Sequence, residues 1–362
     1  MTRILAFAPS SRLLVFAPHP DDETIATGGL IQIAIAAGAA VRVVFATDGD
    51  NNPWPQRWIE RRWHLGPADR ARWGNRRRLE AQAALARLGV TPESARFLGW
   101  PDLGLTEKLE RDDSAIDTLA AEICTFAPTH VVMPSLRDRH PDHGALHVML
   151  ELALGKAETP CIGLGYVVHG RTGNPGEWLL PRDAERQHRK RDALMAHTSQ
   201  IRLSGSRLLR WISQQESFEQ VESRGSLAAW TPAGSVLRIP LDPPYRFLRQ
   251  HEILLVLVDG DRIERARVRL PRLIRAGARQ TLGTGLCSGR VSVELDGDGV
   301  KLIFAAGGIA HGASGYVKLE RSAPRLLIFD TETWHRFEDF PMPDESVTTR
   351  VEPVVVAQRA SL

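Results

Sequence analysis

Cysteine is scarce in this chain. There are three in 362 residues, Cys124, Cys161 and Cys287, isolated and odd in number. They form neither a C-x-x-C metal site nor a disulfide framework, and such usage fits a reducing compartment, so a cytoplasmic location is expected. Apolar runs are short as well. None approaches the ~18 residues that a membrane-spanning helix needs, so no transmembrane segment is expected. Met1–Ser10 lacks a basic stretch followed by a long apolar one, which argues against a secretory signal. Charge of one sign is not in excess: the formal net charge is +3, too small to point to a nucleic-acid partner. No G-x-G-x-x-G follows the first strand and no G-x-x-x-x-G-K-[ST] occurs, so phosphate-loop chemistry has no support. Repeats of fixed period and low-complexity tracts are also missing.

What is present is ordinary globular material, with 43% hydrophobic, 25% charged and 6% aromatic residues. At roughly 100–200 residues per domain the length suggests two. Residues 1–225 alternate strand and helix. Leu13–Ala17, Val41–Ala46, Arg96–Gly99, His130–Pro134 and Ile162–His169 read as apolar strands. Thr24–Ala37, Asn75–Leu88, Ser114–Phe126, Gly144–Leu154 and Asp183–Ala196 read as helices. Repeated βα units with apolar strands predict a doubly wound, mostly parallel, Rossmann-like sheet covered on both faces. From about Ser226 the helical period is gone. Short strand candidates run from Val236–Ile239 to Leu326–Phe329 and Val351–Val356. Asp259-Gly260 and Asp296-Gly297 lie between apolar runs as hairpin turns do. Residues 226–362 are therefore expected to form a smaller all-β, sandwich-like domain. Carbohydrate binding, homo-oligomer formation and covering of a site on the first domain are the roles open to it.

The chemistry concentrates in two segments. His19-Pro20-Asp21-Asp22-Glu23 follows the first strand directly, and His140-Pro141-Asp142-His143 comes shortly after the fourth. In a doubly wound sheet, ligands bind at the carboxyl ends of the strands, which is where both segments fall. Imidazole plus carboxylate suits Zn²⁺, and catalytic zinc typically keeps three protein ligands and one open position. His19 and Asp22, with His143 from the other segment, supply such a set. Asp21 is then free to act as a base, and His140 to stabilise or protonate a tetrahedral intermediate. Two histidines and one carboxylate also suit iron(II). A His-Pro or Asp-Asp pair alone is turn or cap chemistry. Two such segments at two strand ends are much harder to explain that way. His147, four residues beyond His143, reads as a helix-face histidine. Asp142 serves to orient a histidine, to cap the following helix, or both, and Glu23 is balanced between the same kinds of role.

Ala17-Pro18-His19-Pro20-Asp21-Asp22-Glu23, then Gly28-Gly29, resembles the signature of the PIG-L/LmbE-type zinc-dependent deacetylases. His140-Pro141-Asp142-His143 resembles their second motif. Shorter matches follow in order: Thr47-Asp48-Gly49, the R-x-x-E of Arg77 and Glu80, Leu98-Gly99-Trp100-Pro101-Asp102, and His197-Thr198-Ser199-Gln200. The resemblance covers about residues 10–225. It implies removal of an N-acetyl group, usually from an N-acetylglucosamine-type sugar, with a small-molecule or lipid-linked compound as substrate. Carried over position by position, it implies His19, Asp22 and His143 as zinc ligands, Asp21 as general base and His140 near the oxyanion. Arg77 and Asp102 match sugar-contacting positions, and His197 matches one at the rim of the site.

One stretch has no counterpart in that family. Residues 50–74 carry Trp54, Trp58, Trp63 and Trp73 with Arg57, Arg61, Arg62, Arg70 and Arg72. Rings can stack on a sugar face and guanidinium groups can grip an anion, so a substrate-selecting lid is expected. The spacing also fits a short amphipathic helix packed on the domain. Trp with Arg suits a lipid headgroup layer too, which keeps peripheral membrane contact open. Beside the deacetylase reading stand a non-catalytic carbohydrate-binding protein on a degenerate scaffold and a hydrolase of another amide.

Overall fold

The computed structural model describes residues 5–170, 177–221, 229–231, 236–240, 251–259, 262–270, 278–282, 289–296, 299–304, 314–321, 329–330 and 333–337. The strand expected at Val351–Val356 and most of that at Leu326–Phe329 lie outside the described residues.

Strand β1 (Arg12–Ala17, RLLVFA) is buried along nearly its whole length. It pairs in parallel with β2 (Ala40–Thr47) on one side and β4 (His130–Pro134) on the other. Adding β3 (Ala95–Trp100) and β5 (Ile162–Tyr166) gives five parallel strands in the order β3-β2-β1-β4-β5. The antiparallel strands β6 (Trp178–Leu179) and β7 (Ser217–Gln220) extend the β5 edge to seven. From β1 the chain steps one way to β2 and β3, and later the other way to β4 and β5. The carboxyl ends of β1 and β4 therefore diverge from a switch point, where such sheets leave a crevice.

Helix α1 (Asp22–Ala36) follows β1 and is buried at twelve positions, from Asp22 to Ala34. Two helices lie between β2 and β3: α2 (Pro53–Glu60) and the long α3 (Pro67–Leu88). After β3 come α4 (Leu105–Arg111) and α5 (Asp113–Phe126). Helix α6 (Pro141–Ala157) joins β4 to β5, and α7 (Ala184–Ala196) and α8 (Thr198–Ser213) separate β6 from β7. Of these, α4 and α8 are not expected from the apolar spacing of the sequence.

The C-terminal strands are antiparallel, as their alternation predicts. Strands β10 (His251–Asp259), β11 (Arg262–Arg269), β15 (Ser314–Arg321) and β16 (His335–Phe337) form one sheet in the order β11-β10-β15-β16. Asp259 pairs with Arg262, so β10 and β11 are antiparallel neighbours about the expected turn, whose Gly260 lies outside the described residues. A second sheet has the order β12-β13-β14-β9-β8, built from Ala278–Leu282, Gly289–Asp296, Gly299–Phe304, Val236–Pro240 and Ala229–Thr231. Its Asp296 pairs with Gly299, again as the turn signal predicts.

The first of these sheets covers the layer formed by α4, α5 and α6. Leu254 and Val256 of β10, Tyr316 of β15 and buried Trp334 share one apolar cluster with Leu146, Met149 and Leu150. This explains why α6 is apolar on every side: the central sheet lies beneath it and these strands lie above. Ion pairs rim the contact, Arg265 with Asp113 at 2.5 Å and Arg267 with Glu110 at 2.8 Å. Trp334 presses close enough that a Cβ on Gly144 would fall 2.7 Å from its ring. Gly144→Leu is therefore expected to cost a few kcal/mol through overpacking, about 1–3 by analogy with other small-to-large core changes. A chemical melt with unchanged midpoint would show that Trp334 is free to move away.

Candidate functional site

The two sequence segments meet. Helix α6 begins at Pro141, earlier than the apolar spacing suggested, so His140-Pro141-Asp142-His143 is the first turn of a helix rather than a loop. His140 is its N-cap, and its Nδ1 accepts from the Asp142 N–H at 3.3 Å. That contact leaves the ring proton on Nε2. Proline at the first helical position supports the start, since no backbone donor is lost there.

Two imidazoles converge on one carboxylate oxygen. Oδ2 of Asp22 lies 3.1 Å from His19 Nδ1 and 3.2 Å from His143 Nε2. All three residues are buried, and neither nitrogen of His143 makes an aligned hydrogen bond. Buried, closely facing imidazole and carboxylate donors of this kind fit a divalent cation between them. More broadly, the ligand atoms of three groups lie within 4.8 Å of one another: His19, His140 and His143; Asp22, His143 and His169; and His19, Asp102 and Asp142. The expected set of His19, Asp22 and His143 draws its members from all three.

Supporting residues hold these donors. Asp138 places Oδ2 3.0 Å from His143 Nδ1, and its carboxylate also accepts from the backbone N–H groups of His140, Val168 and His169. It thus ties the end of β4 to the end of β5 while fixing one imidazole. Asp142 does the same for His19, lying 3.3 Å from Nε2. Its two oxygens further accept from Leu103 N and Leu105 N, so it caps α4 and leaves the start of its own helix to His140. Neutral imidazole ligands are commonly oriented by a carboxylate on their other nitrogen.

Asp21 stands apart from the cluster. Its φ of 128° is unusual for a residue with a side chain, and it caps α1 without a side-chain hydrogen bond. Backbone strain of this kind, about 1–3 kcal/mol, persists only where the surroundings enforce it. Here Glu23 Oε2 accepts from Asp21 N at 2.8 Å, Glu23 Oε1 meets His197 Nε2 at 3.0 Å, and Arg77 binds the Pro20 carbonyl. His197, expected at the rim, is fully buried and acts on this loop from behind. Arg77 also lies inside: its guanidinium donates to Gly49 O at 2.8 Å and sits 3.3 Å from the Asp21 carboxylate. Gly49, with φ of 61°, is where that guanidinium passes closest, since a Cβ there would fall 1.6 Å from it. Asp102 is buried too, 3.2 Å from His19 Nε2, and accepts from Asn51 N at 2.8 Å.

The short motifs interlock around this loop. Thr47 Oγ1 donates to Pro18 O at 2.9 Å, and Arg78 holds Asp48 with two hydrogen bonds. Glu80 accepts from Thr198 Oγ1, Ser199 N and Ser199 Oγ, which joins the R-x-x-E segment to the H-x-S-Q segment.

Electrostatics follows from the burial of so many charges. Burial lifts the Asp21 carboxyl to about 6, with Arg77 opposing and Asp22 adding to the rise. Burial works the same way on Asp22, but the His143 and His19 imidazoles outweigh it and hold this carboxyl well below the usual range. For His143, burial works against the charged form, and Asp138 and Asp22 override it, pushing the ring up to about 9. His140 moves in the opposite direction. Burial and the neighbouring His19, His143 and His169 push it well below its ordinary value, so it is a neutral Nε2–H donor.

His169 and Asp138 were not singled out by the sequence. His169 follows β5, with its ring 5.1 Å from that of His143 and 5.5 Å from that of His140. A histidine just past the carboxyl end of a parallel strand is the signal that could have found it. His147 is absorbed structurally: Nδ1 contacts Pro134 O at 2.6 Å and Nε2 lies 3.3 Å from Glu151.

Beside this site stands the Trp/Arg stretch. Asn51, bonded to Asp102, leads directly into α2, where Asn52 accepts from Trp54 N. Trp54, Trp58 and Trp63 are 56%, 67% and 70% exposed, whereas Trp73 is buried in α3. Packing therefore accounts for Trp73 alone. Glu60 and Asp69, paired with Arg72, brace the stretch against α3. No described helix is long and apolar enough to cross a membrane.

Residues 14–154 match the model of the family described as PIG-L: GlcNAc-PI de-N-acetylase. The chain is 33% identical over 189 residues to a 1D-myo-inositol 2-acetamido-2-deoxy-alpha-D-glucopyranoside deacetylase of Mycobacterium sp. (strain KMS), covering 48% of this chain and 59% of that protein. A relative of the same description from Mycolicibacterium vanbaalenii is 37% identical over 159 residues, 38% of this chain and 52% of that one. The chain thus spans little more than half the length of these relatives. Among solved structures it resembles the N,N'-diacetylchitobiose deacetylase of Pyrococcus horikoshii, at 20% identity and a TM-score of 0.46, covering 59% of this chain and 84% of that one.

Proposed function

Because residues 14–154 carry a PIG-L family domain, we propose that this protein is a metal-dependent amide hydrolase that removes the N-acetyl group from an N-acetylglucosamine-type sugar. The observation that carries the reading is the meeting of His19 and His143 on Asp22 Oδ2, with the His140 ring 4.6 Å from that of His19. The mycobacterial relatives support the substrate class through their described activity on a 2-acetamido sugar.

His19, Asp22 and His143 would hold Zn²⁺, with Fe²⁺ the alternative for the same donors. A divalent cation there supplies Lewis acidity, polarising the amide carbonyl and lowering the pKa of a water by several units. Everything else falls to the chain. Asp21 has a carboxylate committed to no cap, and it accepts the proton of the attacking water. Attack places negative charge on the carbonyl oxygen, and His140 donates Nε2–H to it. As a neutral donor fixed by its own cap hydrogen bond, His140 needs no reorganisation to do so. The departing nitrogen must be protonated, and Asp21, now carrying a proton, returns it. The products are acetate and a free amino sugar. Arg77 keeps Asp21 in place rather than reaching outward, and Asp102 is the contact on the β3 side for a sugar hydroxyl.

The test is acetate release from a panel of N-acetylated amino sugars, with and without a chelator. Release that stops with chelator and returns with Zn²⁺ or Fe²⁺ supports the reading. Tight sugar binding without release under any metal would favour the carbohydrate-binding alternative.

We also assign the exposed Trp54, Trp58 and Trp63 to substrate selection. Replacing all three by Ala is expected to raise KM for the native substrate about 3–10-fold per contacting ring, with kcat on a small N-acetylated sugar within about twofold. An unchanged KM in a protein with native melting would remove that role. Co-sedimentation with anionic vesicles, lost in the same variant, would move the rings to a lipid surface instead.

A further inference from the structure

The apolar contact on α6 brings a C-terminal aromatic to the site. Phe329 lies 5.0 Å, ring to ring, from His169 and 6.1 Å from His140. It does not arrive there loosely. The next residue, Asp330, is tied to the loop just before His140 by two hydrogen bonds: Asp330 N donates to Arg139 O at 2.8 Å, and Arg139 Nε donates to Asp330 O at 3.0 Å. The Asp330 carboxylate lies 2.5 Å from the fully buried Lys318 of β15. Trp334, four residues further on, is seated against Gly144. A ring so held and yet 39% exposed presents an apolar face beside the histidine cluster.

We propose that Phe329, with His169, walls a subsite for the acyl group of the substrate, so that the C-terminal strands complete the active site and set its acyl-chain preference. The inference rests on the hydrolase reading above and deepens it. Sidedness carries it. Asp102 follows β3 and Arg77 leans on the end of β2, on one side of the His19–His143 pair. His169 follows β5, and Phe329 sits against it, on the other side. A carbonyl carbon held between His140 and the Asp22 group has two further substituents, the nitrogen and the acyl carbon. With the amino sugar on the β2–β3 side, the acyl carbon faces the β5 side. The exposed part of the Phe329 ring leaves room for a chain longer than acetyl to lie across it.

The experiment uses the full chain loaded with Zn²⁺ and two series of equal carbon count. One is N-acyl glucosamines from acetyl to hexanoyl, followed by kcat/KM. The other is the straight-chain carboxylates from acetate to hexanoate, followed by calorimetry. In the wild type, kcat/KM and affinity should rise about two- to fourfold per added methylene, the range for partial to full burial. In Phe329→Ala both slopes should flatten, while Phe329→Leu, which keeps an apolar wall, should retain most of them. Equal slopes in wild type and Phe329→Ala, with native melting in both, would overturn the proposal. If no amide is cleaved but the carboxylate slopes differ, the subsite stands and the hydrolase reading falls. If amides are cleaved with parallel slopes, the hydrolase reading stands and the subsite falls.

Discussion

Asp21→Asn is expected to lower kcat about 10²–10⁴-fold, the span typical of a lost proton-transfer group, while metal content stays at about one per chain. The substitution is nearly isosteric, and asparagine is among the residues that best tolerate a positive φ, so the 128° conformation is retained. The ion pair of Arg77 with the carboxylate is lost, but the other supports of this loop, Glu23 on Asp21 N, His197 on Glu23 and Arg77 on Pro20 O, remain in place. What goes is the ability to take a proton from water and return it to the leaving nitrogen. Because Asp21 is no part of the Asp22 cluster, the metal should be unaffected. Elemental analysis, a melting curve and acetate-release kinetics together check this. Near-native turnover in a folded, metal-loaded variant would place the base elsewhere.

Much of the fold is readable because parallel strands buried on both faces must be almost wholly apolar, and LLVFA is so throughout while VRVVFA and HVVMP each carry one polar residue, Arg42 and His130. The elements that escape notice depend on distant partners. Helix α4 is only seven residues, and its first N–H, that of Leu105, is satisfied by Asp142, 37 positions further on. Helix α8 is interrupted at Ser204, whose backbone leaves helical geometry, and this breaks the apolar period. Helix α3 begins at Pro67, eight residues before the expected start, because Pro67–Gly74 is rich in arginine and carries no apolar stripe. Its start is set instead by Asp69 accepting from Gly66 N. The two-residue β6 and the four-residue β7 are too short to show any period.

The site divides along the same line. His19, Asp21, Asp22, His140 and His143 are compressed into two short motifs at strand ends, where chain order alone announces them. Asp138 and His169 act together through the pairing of β4 with β5, and 31 residues separate them. Phe329 lies some 160 residues from His169, and no local pattern connects the two. Distance along the chain also explains His197. Its motif is visible, but only the packed structure shows that it is buried against Glu23.

Loss of a metal ligand carries the other large effect. His19→Ala, Asp22→Ala and His143→Ala are each expected to reduce metal content from about one per chain to a small fraction, and with it nearly all turnover, since catalytic zinc commonly rests on three protein ligands. The geometry sharpens the test, because three overlapping groups of donors lie within 4.8 Å. If the ion instead chose Asp22, His143 and His169, then His169→Ala would empty the site and His19→Ala would not. A choice of His19, Asp102 and Asp142 would make the site sensitive to Asp102→Ala and indifferent to His143→Ala. With His19, Asp22 and His143 as ligands, His140→Ala and His169→Ala keep the metal. Asp138→Ala weakens it about 10–100-fold by freeing the His143 ring, as loss of an orienting carboxylate typically does. Elemental analysis of these variants, each checked for a native melt, reads the ligand set directly and needs no substrate. Full occupancy in the His19, Asp22, His143 triple alanine variant would sink the assignment.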